Sequence, residues 1–423
     1  MNEDPTVLLS PQGQEVLARL ADPHAEPHKS QLALAVSLRR EYPPDLVAAA
    51  TAQHELRLAA RAKFSRAVRM LFTRAGYEQS SSAPIAAHRA GRLRAAARVA
   101  DLCCGIGGDL IALAAGREVL AVDRDEVHAR LAVHNAGVYN AAGHVRACVA
   151  DVRDIRLAGI DAVFIDPARR YGRHRFRAGV SDPPLDFCLS LAERCPAVCI
   201  KAAPGLPIEV VPDGWEAEFI ADGKDLKEAV LWSPVLATAP RRATILPAGD
   251  TLAAAPGVPG DLDVPGDPCW PARAVAAGAV AAGADGLVPA GPVPVGEPGE
   301  YLLDPNPAVT RAGLVADLAR RLGAWQIDPR IAFLAVAQDV RTPFARTLRV
   351  VESAPWNEKL FARRLRDLGV GAADLRRRGL AGDVERIHRR LKLAGPHRAT
   401  VVLTRVRDRP WGLICADPGS PLG

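Results

Sequence analysis

The chain has 423 residues, 49% of them apolar and 24% charged, with a formal net charge of +6. That length exceeds one ordinary core, so two or three domains are expected, and the balance of apolar to charged residues excludes a disordered or fibrous chain. The start, MNEDPTVLL, is acidic without the basic flank of a signal peptide, and the Ala/Gly run 274–284 is too short to cross a bilayer, so a cytoplasmic location is expected.

Residues 1–95 read as an N-terminal helical region. LLSPQGQEVLARLA, QLALAVSLRREY and PDLVAAATAQHELRLAARAKF repeat apolar residues at three- and four-residue spacing without strand alternation. Residues 96–248 alternate strand and helix patterns. VADLC, VLAVD, VRACVAD, DAVFID and AVCIKAA are candidate parallel strands, with WEAEFIA, EAVLWS and RRATILP completing the far edge. Short apolar strands separated by helices predict an α/β fold, a doubly wound Rossmann-like sheet covered on both faces. Residues 249–299 are rich in proline and glycine and read as a linker or irregular loop. Residues 300–343 read as a helical connector, with NPAVTRAGLVADLARRLGAW as one helix capped by Asn306. The stretch 344–415 reads as strand, helix, helix, strand, a small basic α+β domain.

Charge is segregated along the chain. Residues 1–100 carry 14 basic and 9 acidic side chains and residues 341–423 carry 18 and 8, whereas the middle carries 22 and 31. Basic ends around an acidic body predict a polyanionic partner, with nucleic acid favoured. A GC-rich coding bias explains the preference for arginine over lysine but not the segregation. The eight cysteines contain no CxxC pair, so they read as reduced, buried thiols, and no metal site is expected.

The chemistry concentrates at DLCCGIGGD, residues 101–109, between the apolar run ending at Ala100 and VLAVD ending at Asp123. A strand, a glycine turn, a helix and a second strand ending in an acid form a nucleotide-shaped cofactor site. Gly105 and Gly107 let the backbone approach a ligand. Asp123 is suited to both hydroxyls of a ribose, with Arg124 following it. The third glycine of a dinucleotide fingerprint is missing, and Asp101 and Asp109 would repel a pyrophosphate. They suit a cationic amino-acid group, which points to S-adenosylmethionine. Asp151, with Val152 after it, ends the third strand where an adenine amino group is expected.

DLCCGIGGD, VLAVDRDEVHARLAVHNAGVY, ADVRD and DAVFIDPARR together resemble the class I S-adenosylmethionine-dependent methyltransferases. Within that class the D-x-x-C-G-x-G-G turn is most similar to the trimethylguanosine synthase type of RNA methyltransferase. The resemblance covers roughly residues 60–247, and Cys103 stands where the class usually has its first glycine. VVESAPWNEKL and RRLKLAGPHRATVVLTRV resemble the THUMP-like domain of a bacterial branch of these enzymes.

The resemblance puts the methyl-accepting side at IDPARR, residues 165–170, with Asp166 and Pro167 as the catalytic pair. Methyltransferases acting on exocyclic amines usually read Asp or Asn, Pro, Pro and an aromatic here. Ala168 and Arg169 replace the last two. The DPxR pattern also resembles uracil C5 methyltransferases, but these need a cysteine where this chain has Ala202, and Cys199 reads as core. Arg169, Arg170, Tyr171 and Phe176 in the loop RRYGRHRFRAG are candidate substrate contacts, since arginines grip phosphate and aromatics stack on unpaired bases. Lys201 is a further candidate, although an ion pair with Asp166 would explain it equally well. DPNP, residues 304–307, reads as a helix cap rather than a second catalytic motif.

The favoured reading is a methyltransferase acting on a nitrogen of a structured RNA such as tRNA. The alternatives are a catalytically degenerate RNA-binding protein of the same fold, and a methyltransferase acting on a small molecule or protein.

Overall fold

The structure is a computed structural model that describes residues 4–21, 31–168, 170–171, 174–175, 181–254, 292–380, 384–391 and 393–422. The chain divides into two compact units, residues 1–203 with 230–237, and residues 204–229 with 238–423.

The first unit is built on five parallel strands. Their order is Val198–Ala202, Ala162–Ile165, Arg98–Leu102, Glu118–Asp123 and Val145–Val149. Apolar runs such as Ala162–Ile165 are buried throughout, as expected for strands covered on both faces. The chain leaves Arg98–Leu102 toward one edge and returns to its other side with Ala162–Ile165. Strand order therefore reverses at that point, and in open α/β sheets ligands bind beyond the carboxyl ends of the strands at such a reversal. The glycine turn and Asp166 both follow strands that flank it.

The predicted N-terminal helices form as Pro11–Ala21, Gln31–Leu38, Pro44–Ala60, Arg74–Gln79 and Ala83–Arg92. They do not make a separate body. Leu17, Val47, Leu56, Phe64, Met70 and Leu71 share one apolar core with Ile106 of the glycine turn and with Leu131 and Val138 of helix Glu126–Val138. The boundary expected near residue 95 is thus crossed by packing. The buried Asn135 amide fastens the joint. It donates to the Leu71 and Ile106 carbonyls at 2.9 and 2.8 Å, and it accepts from the Leu71 N–H at 2.9 Å. All its bonds stay inside the protein, so its burial is offset.

In the second unit, Glu216–Asp222 pairs in parallel with Arg241–Leu246, which pairs antiparallel with Asp250–Ala253. The strand Asp225–Trp232 passes from this unit into the first at Val230. A seven-stranded sheet follows, in the order Trp325–Gln326, Leu334–Val336, Tyr301–Pro305, Ala345–Pro355, Arg409–Ala416, His397–Val406 and Val370–Arg377.

Three expectations are corrected in this unit. Residues 300–343 are not a helical connector, because three of the sheet's strands lie there. Tyr301–Pro305 pairs directly with Ala345–Pro355. The single helix predicted after Asn306 is two, Pro307–Arg311 and Val315–Leu322, parted by Gly313 at φ 63°. Between the two arginine-rich helices Glu358–Asp367 and Val384–Leu391 lies the unforeseen strand Val370–Arg377, parallel to His397–Val406. Of the stretch 249–299, the first residues form the strand Asp250–Ala253, and 255–291 lie outside the described residues. The Asn306 cap is present, its Oδ1 accepting from the Ala308 N–H at 3.0 Å. No helix among the described residues is long and apolar enough to cross a membrane.

Candidate functional site

Strand Arg98–Leu102 delivers the chain into a turn with three left-handed residues, Cys103 at φ 62°, Gly105 at 53° and Gly107 at 84°. Cys103 takes the conformation a glycine would, so the turn keeps its tightness at about 1–2 kcal/mol of local strain. Two backbone bonds close it, from Cys104 N–H to the Val122 carbonyl at 3.0 Å and from Gly107 N–H to the Cys104 carbonyl at 2.9 Å. The helix after the turn is a single turn, Leu110–Leu113, shorter than the sequence pattern suggests.

The two glycines serve different ends. A Cβ at Gly105 would meet nothing within 4 Å, so this glycine leaves open space at the ligand side. A Cβ at Gly107 would lie 3.0 Å from the Ala132 Cα, so this one permits close packing of the turn on helix Glu126–Val138. Gly107 is absent from the cavity lining, which corrects its reading as a cofactor contact. Gly107→Ala is expected to cost at least about 2 kcal/mol in denaturant melts, because left-handed strain and a backbone clash add. Gly116→Ala, at φ 72° with open space around it, should cost only about 1–2 kcal/mol.

Above the turn lies a cavity of about 1100 Å³. Its lining brings together Gly105, Asp109, Asp123, Arg124, Asp151, Val152, Asp166 and Pro167 of the predicted site residues. Single small-molecule pockets run to roughly 300–1,000 Å³, so there is room for a donor and part of an acceptor. Sequence reasoning missed a whole wall, because Gln53, Phe72, Thr73, Arg74, Gly76, Gln79 and Ser80 of the N-terminal region also line it.

Asp123 is positioned from two sides. Its Oδ2 accepts from the Gly105 N–H at 2.8 Å and its Oδ1 from the Asp125 N–H at 2.9 Å. Each oxygen retains a lone pair, which suits two adjacent ribose hydroxyls. Asp151 caps the turn Val152–Asp154 through the Arg153 N–H at 2.9 Å. An ionic chain crosses this side of the cavity. Arg153 bonds Asp151 at 2.8 Å and Asp182 at 2.5 Å, while Arg124 bonds the other oxygen of Asp182 at 2.8 Å. These two guanidinium groups hold the Asp182 carboxyl below its ordinary range.

Asp166 Oδ2 accepts from Lys201 Nζ at 2.6 Å. Lys201 is 5% exposed and absent from the cavity lining, so it supports Asp166 from below and does not itself meet substrate. Among the described residues no hydrogen bond reaches Asp166 Oδ1. Cys199 is fully buried within its strand, as expected for core. The candidate contacts Arg169 and Phe176 lie outside the described residues. Arg170 and Tyr171 form a two-residue strand whose side chains are likewise outside them.

Of the two acids at the turn, Asp101 departs from expectation and Asp109 does not. Asp101 is fully buried, does not line the cavity, and neither carboxyl oxygen has a hydrogen-bond partner. Burial, and then the like charges of Asp109, Asp166 and Asp123, push its pKa well above the usual range. Buried beneath the floor, Asp101 is not placed to contact a cofactor directly. Asp109 does line the cavity, and its Oδ1 is ion-paired to Arg89. Burial likewise raises the thiols of Cys103 and Cys104, so neither is a thiolate nucleophile near neutral pH.

DPNP is confirmed as structural. Asn306 caps a helix, and Asp304 pairs with Arg378 at 2.9 Å in the second unit. No group of three or more His, Cys, Asp or Glu among the described residues is arranged to hold a metal ion.

Comparison with known proteins agrees with this geometry. The family described as RNA cap guanine-N2 methyltransferase matches residues 96–176, one described as THUMP domain-like matches 345–417, and a domain of unknown function matches 3–60. A curated relative from Mycobacterium tuberculosis, described alike in strains H37Rv and CDC 1551 as an uncharacterized S-adenosylmethionine-dependent methyltransferase, is 36% identical over 79% of this chain and 85% of its own. A crystal structure from Porphyromonas gingivalis W83, provisionally described as a methyltransferase, has the same fold. Its TM-score is 0.71 at 20% identity, over 96% of this chain and 99% of that one. A glycine turn fastened to a strand-terminal acid, on a parallel sheet that reverses beside it, agrees with the match over most of the chain: the protein belongs to the S-adenosylmethionine-dependent methyltransferases.

Proposed function

We propose that this enzyme methylates a nitrogen of a structured RNA, with tRNA the first class to test. The observation that carries the reading is Asp166, whose Oδ2 is held by Lys201 and whose Oδ1 accepts no bond from the described residues at the cavity. S-adenosylmethionine supplies a methyl group on a sulfonium that is already a good leaving group. The protein's task is therefore alignment, plus acceptance of one proton from the attacking amine. Asp123, Asp151 and Val152 are suited to the adenosine part and Asp109 to the amino-acid part. Asp166 and Pro167 are suited to the acceptor.

The RNA assignment draws support from the two RNA-associated family descriptions and from the second unit's surface. Helices Glu358–Asp367 and Val384–Leu391 present Lys359, Arg363, Arg366, Arg386, Arg389 and Arg390, all exposed. The neighbouring Arg378 is partly buried instead. Arg378 lies over the Phe333 ring and pairs with Asp304, so reversing it would test folding rather than binding. Reversing Lys359, Arg366 and Arg389 to glutamate is expected to weaken tRNA binding at least tenfold and to flatten its salt dependence by about one unit for each phosphate no longer neutralised. Filter binding from 50 to 200 mM salt (about the range over which counterion release is readily measured) checks this. Unchanged affinity at low salt would remove RNA docking from these helices. Tritiated methyl transfer into separate pools of tRNA, ribosomal RNA, protein and small metabolites tests the acceptor class. Label confined to protein or metabolites would overturn the RNA reading.

A further inference from the structure

Arg89 lies in helix Ala83–Arg92, outside every matched family region, yet it reaches the floor of the cofactor cavity. It is 1% exposed. Its Nη2 donates to Ser81 Oγ at 2.7 Å and pairs with Asp109 Oδ1, and its guanidinium sits 5.2 Å from the ring of Phe164. Phe164 belongs to the strand that ends at Ile165, directly before Asp166. One side chain therefore joins the N-terminal helices, the glycine turn and the strand leading to the acceptor side.

The charges explain why a cation is needed there. Asp109, Asp123 and Asp166 all lie near enough to Asp101 to raise its proton affinity, so four acids crowd the floor of one cavity. Two buried cations oppose them, Lys201 at Asp166 and Arg89 at Asp109. Of the two turn acids, only Asp109 lines the cavity, and among the described residues its Oδ2 accepts no hydrogen bond. A carboxylate with one oxygen fixed from behind and the other uncommitted is a preorganised acceptor for an ammonium group.

We propose that Arg89 is a positioning residue for the cofactor: it holds the Asp109 carboxylate aimed so that Asp109 recognises the ammonium of the methionine moiety. This rests on S-adenosylmethionine being the cofactor. The sequence signal was present, since Arg89 falls four residues after Ile85 and three after Ala86 on the buried face of its helix. An arginine in such an apolar stripe needs an internal anion.

Calorimetry on the full chain with two probes separates positioning from mere packing. S-adenosylhomocysteine carries the amino-acid group, whereas 5′-methylthioadenosine lacks it. Arg89→Met and Asp109→Asn are each expected to weaken S-adenosylhomocysteine at least tenfold and to leave 5′-methylthioadenosine within twofold. Arg89→Lys, which keeps the charge on a shorter side chain that reaches Ser81 and Asp109 less well, should fall between, and it decides the matter by the same ratio if Arg89→Met does not fold. Equal weakening of both probes in the Arg89 variants, or no weakening of either, overturns the proposal. Selective loss in Asp109→Asn with Arg89 variants unaffected overturns Arg89's part alone. Full affinity in Asp109→Asn overturns the ammonium site and the proposal with it. Failure of the unmodified protein to bind S-adenosylhomocysteine would instead strike at the cofactor assignment.

Discussion

Asp166→Ala is expected to lower kcat by about 10²–10⁴-fold, the usual contribution of a positioned proton acceptor, while S-adenosylhomocysteine affinity stays within about twofold. The separation follows from where the side chain acts. On the proposed reading its Oδ1 faces the acceptor's proton in the transition state, and the donor does not need it in order to bind. Removing the carboxylate also strands Lys201, which is 5% exposed, so some loss of stability accompanies the alanine variant. Asp166→Asn keeps an oxygen for Lys201 and should fold normally, yet it should lose most of the turnover. Single-turnover methyl transfer, measured beside thermal melts, distinguishes chemistry from unfolding. Wild-type turnover in Asp166→Asn would exclude this carboxylate as the proton acceptor.

Asp123→Ala should show the opposite pattern. If Asp123 holds the ribose as proposed, the variant loses bonds to two hydroxyls, and it releases the Gly105 and Asp125 N–H groups that the carboxylate now fixes. A hydrogen bond to a charged group contributes about 1.5–3 kcal/mol, so cofactor affinity should fall about 10–150-fold. Asp123→Asn keeps one acceptor oxygen and should lose less. Calorimetric affinity equal to wild type in Asp123→Ala would contradict the ribose assignment.

The parallel half of the fold was legible because its signals are local. An apolar run, a glycine turn and a terminal acid follow one another closely in the chain, and the structure places the turn and the acid side by side. Asp123 is a clear instance, since its neighbours Gly105 and Asp125 are fixed by the turn itself. The distant partners were not legible. Arg89 reaches Asp109 from another helix, and Gln53 and Thr73 enter the cavity wall only because the N-terminal helices pack on helix Glu126–Val138. The role of Asp101 was misread for a related reason. A strand-end acid and a cavity-lining acid look identical in sequence, and only burial in the fold separates Asp101 from the acids that line the cavity.

The second unit was harder to read for a physical reason of a different kind. The strand Val370–Arg377 is VGAADLRR, with little β-branched content and few apolar side chains of any size. It owes its conformation to pairing with His397–Val406 rather than to its own propensity. The three consecutive arginines Arg376 to Arg378 do not act as one patch. In the fold they divide, Arg376 toward Asp374 at 3.3 Å and Arg378 toward Asp304.

The central claim is that the cavity joins an S-adenosylmethionine site to a nitrogen acceptor on RNA. The most direct measurement uses RNA from a strain lacking the gene, treated with the purified protein and methyl-labelled S-adenosylmethionine, then digested to nucleosides for mass spectrometry. The account predicts one labelled nucleoside methylated on nitrogen, absent from the untreated RNA and absent when Asp166→Asn replaces the wild type. A label on carbon or on a ribose oxygen, or no label in any RNA while another pool is methylated, would contradict it.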